Sequence, residues 1–124
     1  MAITHVTAVR NGLADYVVDL IDGGTGAGTL EFQTSGNVEV ATLTFSATAF
    51  GDASSGTATA ASITSDTNAA GGEVAKFVIK DGDGTALVSG TAGEAGTEDI
   101  VLSSSTIGSG DTVSCSSLTY SAPA

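Results

Sequence analysis

A chain of 124 residues has the length of one ordinary domain, and residues 1–124 read as a single domain with no linker. Ala (19), Thr (18), Gly (17) and Ser (15) fill 69 positions, while Val, Leu, Ile, Phe and Met together fill 29. Three bases (Arg10, Lys76, Lys80) face 14 acids, for a formal net charge of −11. That balance excludes a nucleic-acid partner, whose phosphates are held by Lys and Arg. It likewise excludes an anionic membrane surface as partner, and no apolar run reaches the ~18–20 residues that cross a bilayer.

The first predicted element is an amphipathic helix over residues 5–21. Val6, Val9, Leu13, Tyr16, Val17, Leu20 and Ile21 recur at steps of three and four, so the pattern predicts that this face packs on the rest of the chain. Thr4 is the expected N-cap, and Asp22-Gly23-Gly24 the stop. Gly12 lowers helix propensity and marks an expected close approach to a neighbouring backbone.

After Gly28 the period changes from 3.6 to 2. Thr29–Thr34 and Val38–Phe45 alternate around the Ser35-Gly36-Asn37 turn and predict a hairpin. Val38 and Val40 share one phase, whereas Ala41, Leu43 and Phe45 share the other, so a β-bulge is expected near Val40–Ala41. Thr57–Ile63 is a weaker strand, and Thr64–Gly72 a polar loop. Glu73–Lys80 predicts a strand with Ala75, Phe77 and Ile79 inward. The Asp-Gly turn at Asp81–Gly84 then leads into a strand over Thr85–Thr91. Asp99–Ser103 and Thr112–Tyr120 complete about seven strands. The expected fold is mainly β (α+β), an antiparallel β-sandwich or barrel over about residues 29–120 with the helix docked on it. With only three bases to guard sheet edges, some edges are expected to be covered by partners.

Candidate chemistry is sparse. The glycines of Gly23–Gly28 follow a helix and open a strand, the wrong polarity for a phosphate loop, and read as a cap and linker. Asp81 and Asp83 have the spacing that opens a calcium loop. The twelfth position is Ala92 and the flanks are strands, so a hairpin turn is the first reading and a cation pair the second. His5 and Cys115 are the only imidazole and thiol; Cys115 lies on an inward strand phase and, being alone, forms no intrachain disulfide. The acids read as a solvated surface. No catalytic residue, cofactor or enzyme class is assigned. The opening residues lack the pattern of a secretory leader, so synthesis in a cytosol without export is expected.

Several motifs point to a family. An aromatic strand runs into Asp81–Thr85, a short strand ends at Gly90, and Asp99 precedes the branched Ile100. An I-x-x-G-D-x-V step follows at Ile107, Gly110, Asp111 and Val113, and Thr7, Val9, Arg10, Asn11 and Asp15 open the helix. This pattern resembles the head decoration or cement proteins of tailed bacteriophages. The resemblance spans both ends of the chain and leaves out Thr48–Gly72. It implies a non-enzymatic virion protein, made in the host cytoplasm, that binds the outer face of an assembled capsid. The implied partners are the major capsid protein and further copies of the chain, as dimer or trimer. Ile3, Thr4, His5 and Arg10, with the Thr-rich sheet edges, are the expected interface. A tail-associated virion component and a secreted adhesin or calcium-binding β module are the alternatives.

Overall fold

The computed structural model describes residues 3–122. Helix α1 (Thr7–Ile21) precedes β1 (Thr29–Gln33), β2 (Glu39–Phe45), β3 (Thr57–Thr59), β4 (Ile63–Thr64) and β5 (Gly72–Glu73). Then come β6 (Lys76–Lys80), β7 (Ala86–Gly93), β8 (Ile100–Val101), β9 (Thr106–Ile107) and β10 (Thr119–Ser121). A curled six-stranded sheet, a half-barrel in the order β4-β2-β1-β6-β7-β8, is accompanied by the pairs β10-β3 and β5-β9. The fold is therefore mainly β with one N-terminal helix, as the change of period predicts.

Alternation explains the centre of the sheet. Leu30 and Phe32 of β1, Leu43 and Phe45 of β2, and Phe77 and Ile79 of β6 all point into one core, joined by Val18 and Ile21 from α1. The expected bulge is present. Phe32 pairs with Ala41 and Gln33 with Glu39, so Val40 has no partner on β1 and both Val40 and Ala41 are buried. The carbonyl of Val40 instead accepts the N–H of Gly71 at 3.1 Å. On the outer face Lys80 pairs with Glu31 at 2.9 Å. Burial works against the charged form of Glu31, but hydrogen bonds from Gln33 and Lys80 outweigh it and hold this carboxyl below its ordinary value.

Several expectations need correction. The helix starts at Thr7 with Val6 at the N-cap position and no side-chain cap, so Thr4 does not fill that role. Thr57–Ile63 splits into β3 and β4, because the N–H of Ala60 turns to the Leu118 carbonyl and that of Ala61 to Ala49. Only Thr119–Ser121 of the C-terminal segment is a strand. Its Ser-rich middle offers the backbone competing local bonds, and the Cys115 thiol donates to the Ser117 carbonyl.

One strand pair is parallel: Ala92 faces Ile100 and Gly93 faces Val101. Parallel neighbours usually need a crossover of about a dozen residues or more, yet only residues 94–99 intervene here. Carboxylates wind that loop tightly. Glu98 accepts the N–H groups of Ala95 and Gly96, and Asp99 accepts that of Thr91. The outermost strands of the large sheet, β4 and β8, are two residues each, so its edges are blunted by brevity.

Candidate interaction surface

Three polar side chains decide how α1 sits. Asn11, Asp15 and Asp22 each accept a backbone N–H from the segment 49–56, those of Gly56, Ala53 and Ala49, all at 2.7 Å. Between them Ala14, Val18 and Ile21 enter the core. Arg10 lies half-buried with its guanidinium against Gly56, where a Cβ would stand 2.7 Å from Cζ. The helix is thus clasped along one side, against β3, β10 and β7.

The predicted inward face is mostly on the outside. Val6 and Tyr16 are each 69% exposed, and Val9, Leu13 and Leu20 are 40–44% exposed. Only Ile21 of the predicted set is buried, with Val17 half-buried. Periodicity shows that apolar residues share a face, not which face meets the core. The missed signal is the other set, Asn11, Asp15 and Asp22. Carboxylates towards the C-terminal end of a helix oppose its macrodipole, and at Asp15 and Asp22 that cost is offset by backbone donors from outside the helix.

The expected interface residues fall in two places. Ile3 (79% exposed), Thr4 and His5 lead into the helix and are exposed, whereas Arg10 is pinned on Gly56. Asp81 and Asp83 serve the turn itself. Asp81 accepts the N–H groups of Asp83 and Thr85 at 3.0 and 2.9 Å, and Asp83 accepts both the N–H and the hydroxyl of Thr25 at 3.2 Å. The Asp-Gly turn and the loop after the helix interlock, with the Gly82 N–H donating to the Gly23 carbonyl at 2.9 Å. A Cβ on Gly82 would stand 2.0 Å from the Gly26 carbonyl oxygen, which gives the glycine-rich loop its purpose. Among the described residues, no three His, Cys, Asp or Glu side chains gather in a metal-binding arrangement.

The acids are not simply a solvated surface. Nine of the 14, namely Asp15, Asp22, Asp66, Asp81, Asp83, Glu94, Glu98, Asp99 and Asp111, accept a backbone N–H. The Ser105 hydroxyl, followed by its N–H, holds the Glu94 carboxyl below its ordinary value. For Glu98 its own backbone N–H foremost, with those of residues 95–97, does the same against an opposing desolvation.

A cavity of about 650 Å³ lies between the C-terminal segment and the sheet, with Phe32, Ala41 and Val74 among its apolar lining and many Ser and Thr around them. Cys115 faces it, and burial pushes its thiol up, away from the reactive thiolate. His5 is not among the lining residues, and the cavity's acids, Asp99 and Asp111, are engaged by Thr91 and Gly108.

No protein-family model matches the chain, and neither the curated proteins nor the solved structures contain a significant match to it.

Proposed function

We propose that this chain is a non-enzymatic structural protein of a tailed-phage virion, which attaches to the outer face of the assembled capsid and stabilises the head. The sequence motifs at both ends support the family. The observation that carries the reading is the division of roles on the surface. Most carboxylates hold backbone N–H groups, while six of the eight exposed large apolar side chains gather along α1 and the residues that precede it, Val38 and Val101 being the other two. Such a face is suited to being covered by protein. Ile3, Thr4 and His5 are the proposed contact with the major capsid protein, and Arg10 lies half-buried against Gly56 in the helix that follows them.

The mechanism is repetition. Each contact is modest, but copies placed by icosahedral symmetry bridge neighbouring subunits, and linked contacts add as avidity. A net charge of −11 suits the outside of a shell rather than its DNA-lined interior.

The test is to mix purified chain with mature shells that lack it and pellet the shells. The expected result is saturation at a fixed stoichiometry set by the shell's symmetry. Failure to bind mature shells, or labelling of purified virions only at the tail, would overturn the reading.

A further inference from the structure

We propose that the seam between β8 and β10 is a binding slot for an extended, uncharged or basic segment of a partner protein, which enters as a strand and completes the half-barrel. The proposal is independent of any capsid, because it concerns the free chain.

The main chain is the first argument. Among the described residues β8 pairs only with β7, and β10 only with β3. The N–H of Leu102 donates to the Gly93 carbonyl at 2.8 Å, so by alternation along the strand the main-chain groups of Val101 point away from β7. Likewise the Leu118 carbonyl accepts the N–H of Ala60, and the N–H of Ala122 donates to the Gly56 carbonyl. The main-chain groups of Thr119 and Ser121 therefore point away from β3. Two residues of β8 are too few to recruit a strand alone, but a slot bordered by two free edges offers ladder partners on both sides.

The space is the second. The cavity of about 650 Å³ and a neighbouring one of about 250 Å³ share Asp99, Ile100, Leu118 and Thr119 in their walls, so they are two parts of one seam. Its floor is apolar, with Phe32 and Val74 under one part and Phe77, Ile79 and Val88 under the other. A main chain laid there sets alternate side chains on that floor and the others in solvent. Val101, 57% exposed and remote in sequence from α1, stands on this edge.

The chemistry of the walls selects the occupant. No base lines either cavity, so a phosphate or carboxylate finds no cation to hold it. The acids, Asp99 and Asp111, already accept the N–H groups of Thr91 and Gly108. The Phe rings beneath are nearly fully buried and offer no face on which a sugar or base could stack. What the seam does offer is free main-chain donors and acceptors above apolar side chains, and another extended main chain returns both. A net charge of −11 disfavours an acidic segment.

The test titrates a capped peptide, Lys-Val-Thr-Val-Thr-Val-Lys, into the isotope-labelled full chain and reads amide exchange residue by residue. The expected result is saturable, equimolar binding, with exchange at Val101, Thr119 and Ser121 slowed at least about tenfold. N-methylation of the peptide at either alternate set of amides keeps the side chains and removes the donors to one wall, so it should weaken binding at least about tenfold. Thr119→Pro and Ser121→Pro each remove an N–H that the fold leaves unpaired. Each should weaken binding similarly while the melting temperature stays within about 4 °C. Unchanged exchange at about 5 mM peptide, undiminished binding of the N-methylated peptides, or tighter binding when both Lys are replaced by Glu would overturn the proposal. So would protection of the same amides that rises with the chain's own concentration in the absence of peptide, which would assign the seam to a second copy.

Discussion

Asp15 illustrates how this chain uses its charge. Its carboxylate takes the N–H of Ala53, from a segment that lacks a strand partner for that group, and leaving such a donor unsatisfied costs about 1–3 kcal/mol. Asp15→Ala should therefore lower the unfolding free energy by roughly that amount in urea titration. Asp15→Asn, which keeps an accepting oxygen, should lose less. Glu94 makes the same point through pH. Its carboxyl is held below the ordinary 4.5 in the fold, so its contribution is present above that value and disappears as pH falls through the lower folded value. Protonation of many acids also relieves the self-repulsion of a −11 chain, so a melting curve of the wild type alone mixes two opposite effects. Comparison with Glu94→Gln separates them. The stability gap between the two proteins should be constant at neutral pH and shrink as the pH falls below the ordinary carboxyl value and through the lower folded one; a gap that widens on acidification would contradict the assignment.

At the scale of elements, α1 is an amphipathic helix turned outward, and substitutions can read its orientation. Val18→Ala should cost about 2 kcal/mol, the loss of two buried carbon groups plus incomplete collapse of the space. Leu13→Ala should change stability by less than about 0.5 kcal/mol, and Gly12→Ala should raise it by up to about 1 kcal/mol. The reverse order, with Leu13 costing more than Val18, would place the other face on the core. The interlocked turn is a second element with a sharp requirement. Gly82→Ala drives a methyl into the Gly26 carbonyl and should separate the loop after the helix from the β6–β7 turn, lowering the melting temperature. The sequence made some of these elements legible and hid others for identifiable reasons. The slip of phase at Val40 was readable, because a bulge moves every following side chain to the opposite face. The β6–β7 hairpin was readable from Asp81-Gly82, since that turn needs few residues beyond its own. The direction of α1 was not. It is settled by Asn11, Asp15 and Asp22 reaching a segment some 27 to 45 residues away, and no local pattern records where those donors lie. The parallel β8 was hidden for the same reason, since a loop wound on its own carboxylates imitates a turn.

The whole molecule is a small apolar core surrounded by loops that carboxylates hold in shape. Bulky side chains suffice for one half-barrel and the inner side of one helix, and most of the exposed ones lie along the outer side of that helix, with Ile3, Val38 and Val101 elsewhere. The large sheet ends on β4 and β8, strands of two residues each, so its edges offer few free ladder groups. Of the expected interface, Ile3, Thr4 and His5 are exposed, while Arg10 lies half-buried against Gly56. A reconstruction by electron cryo-microscopy of mature shells incubated with the chain tests the central proposal most directly. The account requires ordered density on the outer capsid surface at symmetry-related positions, with the start of α1 against the shell. Bare shells at saturating protein, or density confined to the tail, would contradict it.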